Sequence, residues 1–324
     1  MKEKYKEDTI EYGPIDLPWN NLFEFEVKVT VATLVQGLKA VVLNQKKNTF
    51  YDTYQFQQFA LRDPLIQYIL KHANHRVLRK LFASCKYFFA KRQTPLCYSL
   101  VKKEGTKFDD ENLKLDYLAD PNLFLKNTYV TGCLFADLCA WGNSQAVLMH
   151  RRFVSIVIPR LYRCEARYIH LTDQDLTFKE LQFLIEHGGV VDFRSEDCEI
   201  VDEDDEYIHL EKYMEYLPSV ERLLLRPTYV NANTGRALAE LKFSSKATFK
   251  FISFEPIYGD PFDAKEFIKF CDAIRGESIL MDMDFDDDDF NEAFVESFKE
   301  IMRNYQNNTN NGSFNISRVG DDDN

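Results

Sequence analysis

The sequence predicts an α/β fold, with an N-terminal helical unit followed by an irregular strand–helix solenoid. Three observations predict it. Between Asp63 and Phe89, apolar residues recur at helical spacing on either side of a polar break. From Ile169 onward, short apolar-x-apolar segments return at steps of 22, 32, 26 and 30 residues. Between those segments lie helical patterns that begin with cap residues. Composition agrees: 45% hydrophobic residues with 27 Phe and 17 Tyr can build a large core. Twelve Gly and ten Pro in 324 residues exclude a collagenous or linker-dominated chain.

Residues 1–54 read as a leader with one amphipathic strand, because Phe23, Phe25, Val27, Val29 and Val31 alternate with Glu24, Glu26, Lys28 and Thr30. Ala32 to Leu43 is apolar around Gly37 and fits strand or helix equally. The first compact unit spans 55–107. Asp63-Pro64 is a helix entry, Pro being tolerated in the first turn and Asp before it serving as cap. Leu65, Ile66, Ile69 and Leu70 then share a face, Ala73-Asn74-His75 breaks the pattern, and Val77, Leu78, Leu81 and Phe82 resume it through Cys85 to Phe89. A short helix, a turn and a longer helix result, whose apolar stripe must be buried. A plain helical hairpin capping a larger core satisfies the same pattern.

Residues 108–165 connect this unit to the repeats of 166–304. Ile169-His-Leu171-Thr-Asp-Gln174-Asp-Leu176 fits the leucine-rich pattern of apolar, x, apolar, two residues, polar, x, apolar. Val191-Asp-Phe193, Leu223-Leu-Leu225, Phe249-Lys-Phe251 and Ile279-Leu-Met281 are the later strands, although unrelated residues follow Gln174 at the polar position. Capping boxes at Thr177/Glu180, Asp263/Glu266 and Asp289/Glu292 start three helices, and Tyr207–Leu217 and Thr234–Phe243 supply two more. The pattern predicts Ile169, Leu171, Leu223, Leu225, Phe249 and Phe251 in one shared core. Asp282 to Asp289 would form a terminal edge strand, with Met281, Met283 and Phe285 inward and acids outward. Residues 305–324 have no periodicity and are expected to be a disordered tail, whose sequons at Asn307, Asn311 and Asn315 are chance.

Charge is unevenly placed. The chain carries a net −12, yet Lys71 to Lys107 holds ten Lys/Arg against Glu104 alone. A basic stripe can attract nucleic acid, but the acidic remainder would repel it, so an acidic protein partner suits the segment better. The seven Cys are odd in number and scattered, which is no disulfide framework. Met1 to Asp8 is charged and leads into no apolar signal core, and no stretch approaches the ~18 apolar residues of a membrane span. The expected location is cytoplasmic, nuclear or both.

Motifs for catalysis or cofactors are absent from the sequence. A calcium loop starting at Asp282 would need Gly at its sixth position and Glu at its twelfth; Asp287 and Ala293 stand there. Cys133/Cys139 and His72/His75 lack a second pair at zinc spacing. No phosphate loop, dinucleotide fingerprint, nucleophile elbow or H-E-x-x-H occurs. No cofactor, no metal and no catalytic residue is therefore expected, and the chain reads as a non-enzyme.

Ala60-Leu-Arg-Asp-Pro64-Leu-Ile-Gln-Tyr-Ile69-Leu70, followed by Val77-Leu78-Arg-Lys-Leu81-Phe-Ala-Ser-Cys85-Lys86, resembles an F-box. Asp63 replaces the usual Leu before Pro, Ser84 the usual Val, and no Trp follows Cys85. Ile158-Pro to Leu171, Leu176 to Ile185, Leu210-Glu211 and Leu217-Pro218 to Glu221 extend the likeness. Over residues 55–300 the chain is similar to a nematode-expanded family that joins a degenerate F-box-like unit to a leucine-rich-repeat-like region. The resemblance implies a substrate-recognition subunit of a cullin–RING (SCF-type) ubiquitin ligase. In it Pro64, Leu65, Ile66, Ile69 and Leu70 would meet the adaptor, Leu78, Leu81 and Cys85 would support the second helix, and the repeats would capture an unknown protein substrate. Two alternatives stay open: a repeat-based interaction scaffold whose F-box has decayed, and nucleic-acid binding through 71–107.

Overall fold

The computed structural model describes residues 61–102, 107–109, 111–115, 125–136, 151–243, 249–274, 279–309 and 312–319. The leader strand expected at 23–31 and the segment 32–43 lie outside them. The chain divides into two compact units, 1–96 with 107–113, and 97–106 with 114–324.

In the first unit, α1 (Asp63–His72) carries Pro64 in its first turn. Asp63 does not cap it. Its carboxylate instead accepts from the Tyr87 hydroxyl at 3.2 Å and pairs with Lys91 at 2.9 Å. α2 (His75–Ser84) starts at Asn74, whose Oδ1 accepts from the Val77 N–H at 3.0 Å. The longer helix expected to run to Phe89 breaks at Cys85, which is extended, and α3 (Lys86–Lys91) follows. No Gly or Pro marks the break. The Ser84 hydroxyl turns back to donate to the Leu81 carbonyl, the local competition with helix that Ser offers. Ile66 and Leu70 on α1, and Leu78 and Phe82 on α2, are buried at i, i+4 spacing. Arg79 is buried with them, paired to Glu111 between the short strands β2 (Lys107–Asp109) and β3 (Asn112–Leu115).

The second unit is built on a large parallel sheet, which makes the fold α/β. Its strands are β1 (Leu96–Lys102), β4 (Thr128–Ala136), β6 (Tyr168–Thr172), β8 (Asp192–Glu196), β10 (Arg222–Arg226), β12 (Phe251–Gly259), β13 (Leu280–Phe285) and β14 (Ser313–Arg318), in that spatial order. From β4 to β14 every neighbouring pair is parallel. β5 (Leu161–Cys164) pairs with β4 and β11 (Thr228–Val230) with β12, while β7 (Asp175–Thr177) and β9 (Glu199–Val201) form a small ladder of their own. Helices α5 (Phe178–Ile185), α6 (Leu210–Glu215), α7 (Thr234–Glu240), α8 (Ala264–Ala273) and α9 (Glu292–Thr309) each follow a strand; α4 (Phe153–Val157) precedes β5. No helix among the described residues is long and apolar enough to cross a membrane.

Register shows which residues meet. Leu134, Ile169, Phe193, Leu223, Ile252 and Met281 stand side by side, all buried, with Ala136, Leu171, Ser195, Leu225, Phe254 and Met283 two residues on. Two expected strand pairs are therefore shifted. Phe193 aligns with Ile169 but Val191 precedes the strand, and Ile252 with Phe254, not Phe249 with Phe251, occupy the inward row. Phe251 is only half-buried, since an odd slip sends it to the other face. Phe249 is buried ahead of its strand.

Three boundaries also move. The stretch 108–165 is no mere connector, since β4 is buried almost throughout. The expected edge strand at 280–285 does bury Met281, Met283 and Phe285, but it is not an edge. The tail expected to be disordered continues α9 and supplies β14, which pairs with β13; Asn315 Nδ2 donates to Asp282 Oδ1 at 2.7 Å. Below this end of the sheet Phe285 meets Phe290, Phe294 and Phe298 at centroid distances of 4.9, 5.7 and 5.4 Å, edge to face.

Candidate interaction surfaces

Two surfaces are candidates, one on each unit, and each is built from its own elements. On the helical hairpin, the positions implied by the F-box resemblance separate sharply. Pro64 and Leu65 are exposed; Ile69, Leu81 and Cys85 are half-buried; Ile66, Leu70 and Leu78 are buried. The last three cannot meet a partner unless the hairpin opens, because their faces are already packed. The side chains that do reach water are Leu61 (43% exposed), Leu65 (46%), Tyr68 (61%) and Val77 (42%). Leu65 and Tyr68 lie one helical turn apart on α1, on the face opposite the buried Ile66 and Leu70, and the Tyr68 ring rests 4.4 Å from His72. These four are most of the exposed large apolar side chains among the described residues. Periodicity alone could not separate Leu65 from Ile66, since both lie on the broad apolar stripe.

The basic run reads differently in three dimensions. Arg79 is buried against Glu111, Lys91 pairs with Asp63, and Lys102 is 2% exposed with its Nζ 5.1 Å from the Phe153 ring centroid. Those three cations are thus already engaged, and the segment includes the strand β1, so it is not one basic helix.

On the second unit, the outward face of the sheet carries a polar centre. Phe135, His170 and Arg194 lie side by side across β4, β6 and β8, and the Phe135 and His170 rings stack at 4.5 Å. Asp192 on β8 is 6% exposed. His170 Nε2 lies 3.2 Å and Arg194 Nε 3.1 Å from its Oδ1. Burial pushes the Asp192 carboxyl up, but the hydrogen bonds from His170 and Arg194 outweigh it and hold the group below the usual carboxylate range. The row neighbours of His170 are Phe135 and Arg194. Farther along the face, Arg226 Nη2 donates to Glu255 at 3.0 Å.

Past the strand ends runs a buried polar row, of which the sequence reading had Gln174 alone. Gln174, two residues past β6, donates from Nε2 to the Thr172 and Asp173 carbonyls and accepts from the Val154 N–H. Cys198 holds the same place after β8, its thiol donating to the Glu196 carbonyl at 3.4 Å, and Thr228 follows after β10, donating to the Leu225 carbonyl at 2.9 Å. All three are buried. Gln, Cys and Thr differ chemically, yet each donates to a carbonyl at the end of its strand. The signal was available as Leu171-x-x-Gln174, Ser195-x-x-Cys198 and Leu225-x-x-Thr228, once the strands are aligned.

Other reactive groups are spoken for. Burial pushes the Cys198 thiol up to about 11 and the Cys164 thiol up to about 12, so neither is a thiolate near neutrality. The Asp286, Asp287 and Asp288 carboxylates lie within 4.8 Å of one another, and Asp286 Oδ1 accepts from the Asp288 N–H at 3.0 Å, closing a turn. No protein-family model, curated protein or solved structure matches the chain.

Proposed function

We propose that the chain is a non-catalytic recognition subunit of a cullin–RING ubiquitin ligase, working in the cytoplasm, the nucleus or both. Its helical hairpin docks on the adaptor and its repeats present a surface to a protein substrate. The observation that carries this reading is the exposure of the apolar side chains Leu61, Leu65, Tyr68 and Val77 on this one small unit, since exposed apolar surface suits a partner site. The buried row Gln174, Cys198 and Thr228 supports a leucine-rich-repeat-like layer, since it fills the polar position of that repeat with side chains that bond the turn. The substrate face on this reading is the outward side of the sheet around Phe135, His170 and Arg194.

A second reading has its own support. Burial of Ile66, Leu70 and Leu78, with Asp63 engaged by Lys91 and Tyr87, fits a hairpin that serves the fold and an interaction scaffold without an adaptor. Leu65→Glu combined with Tyr68→Glu separates the two. Both side chains are exposed, so the variant should fold and melt like the parent. In the ligase reading the wild-type chain co-purifies with adaptor and cullin, and the double variant does not, because a charge would be desolvated at the interface. A wild-type chain that recovers no adaptor, or a folded double variant that binds it undiminished, overturns the ligase reading in favour of the scaffold.

A further inference from the structure

The parallel sheet ends at β14, and no strand lies beyond it among the described residues. The Ser313 N–H donates to the Ile279 carbonyl at 2.7 Å and the Val319 N–H to the Phe285 carbonyl at 2.9 Å, so these groups face β13. Backbone groups alternate along a strand, and the N–H and C=O groups of Phe314, Ile316 and Arg318 therefore point away from β13. Their side chains continue the inward row, because they are register partners of Met281, Met283 and Phe285. Those partners are buried, whereas Phe314 and Ile316 are only half-buried. A cleft of about 300 Å³ opens here between β14 and α9, lined by Phe314 and Ile316 from the strand and by Lys299, Met302 and Arg303 from the helix. Sheet edges are commonly blunted by outward charge or proline. This one is not: its charged residue, Arg318, turns back to donate to the Phe290 and Asp287 carbonyls.

The helix α9 turns a patterned stripe toward the same edge. Glu292, Glu296, Lys299 and Arg303 follow at steps of four, three and four, which places them on one helix face. Lys299 and Arg303 line the cleft, so this face overlooks β14; on the opposite flank Tyr305 donates to Asp272 of α8 at 2.9 Å. Glu292, Glu296 and Arg303 are exposed. Lys299 pairs with Glu296 at 2.8 Å, but Glu292 and Arg303 make no ion pair among the described residues. The stripe is thus acidic in its first half and basic in its second. A copy related by a two-fold axis runs antiparallel and lays its acidic half on the basic half of the original.

We propose that β14 is the interface of a symmetric homodimer, in which the β14 strands of two copies pair antiparallel and extend the sheet. The axis passes Ile316, which meets the partner's Ile316, with Phe314 opposite the partner's Arg318. This register uses every outward-pointing backbone group of the strand and joins the two Ile316 side chains over the cleft. Tyr305 meets Phe314 at the start of β14 and Arg318 reaches Phe290 ahead of α9, so Ile316 lies under the middle of the helix. The same axis therefore crosses α9 close to Lys299 and sets Arg303 against the acidic half of the partner's stripe. Lys299, nearest the axis, stays neutralised by its own Glu296. A second copy is the favoured occupant because it carries by symmetry the reversed charge order that the stripe matches. The inference concerns the second unit alone and does not rest on the ligase reading.

The test is sedimentation of the full chain at physiological salt, which screens the repulsion between two chains of net −12 beyond about 8 Å. The wild-type chain should be dimeric at about 100 μM, where even a weak interface is populated. Arg303→Glu should weaken self-association at least about tenfold, because symmetry repeats the change on both sides of the axis. Glu292→Arg combined with Glu296→Arg should weaken it likewise. An equal mixture of the two variants should recover the dimer, since each now carries the charge that the other lacks. These positions are exposed, and unchanged melting curves certify that the variants are folded. Ile316→Cys should yield a disulfide-linked dimer on mild oxidation and Ser313→Cys should not, because only the residue at the axis meets its own copy. A monomeric wild-type chain, an Arg303→Glu variant that associates like the parent, or a mixture that stays monomeric overturns the proposal. A chain that dimerises without the cross-link at 316 places the interface elsewhere and overturns it too.

Discussion

Consider truncating, one at a time, the three consecutive leucines of β10. Leu223 and Leu225 are 0% and 1% exposed, whereas Leu224 is half-buried on the opposite face. Leu223 is held between Phe193 and Ile252, and Leu225 between Ser195 and Phe254. Leu→Ala removes three carbon groups, about 2.4 kcal/mol of transfer free energy at ~0.8 kcal/mol per buried methylene. The parallel ladders on both sides hold these neighbours in place, so the site cannot collapse and a cavity penalty adds. The total for Leu223→Ala or Leu225→Ala is about 3–4 kcal/mol, within the ~2–5 kcal/mol of buried leucine truncations. Leu224→Ala should cost about 1 kcal/mol, because much of its surface is in water in either state. Urea unfolding followed by far-ultraviolet circular dichroism, with unchanged m-values, reads the three differences. A Leu224→Ala variant as destabilised as Leu223→Ala would refute the register, and with it the sidedness of the whole sheet.

Asp192→Asn should cost about 1–2 kcal/mol near neutrality, since charge-assisted bonds from His170 and Arg194 are weakened. The folded carboxyl is depressed, so its contribution is full above the ordinary 3.8 and is lost as pH falls below that through the folded value. Melting curves of parent and variant should accordingly converge on acidification below about pH 3.8; a gap that widens there contradicts the pairing. Gly259→Ala should lower stability by about 2 kcal/mol or more through backbone strain at a positive φ. A melting temperature equal to the parent's would show that β11 and β12 do not approach as described.

The sequence by itself determined what depends on neighbours a few residues away. The alternation in Ile169/Leu171, Leu223/Leu225 and Met281/Met283/Phe285 identified strands whose inward residues are those in the structure. Thr177 and Glu180 form the reciprocal cap that their spacing requires, and Asn74 starts the second helix of the hairpin. What tertiary structure alone decided is register and pairing across distance. Phe249-Lys-Phe251-Ile252-Ser-Phe254 offers two apolar pairs of opposite parity, and only the ladders to Leu223 and Met281 choose Ile252 with Phe254. Asp289 has the sequence of a helix cap, yet Asn291 accepts from the Phe294 N–H and frees Asp289 to accept from the Gly259 N–H. The tail from 313 lacks a strong apolar alternation and becomes a strand because β13 presents an unpaired edge to it. The stacking of Tyr229 on Tyr207 and Tyr258 is invisible in one dimension, since the three come from three repeats. Local periodicity specifies which faces a segment has; the partner that covers each face is fixed by contacts between residues far apart in the chain, where backbone hydrogen bonds and buried area are settled together.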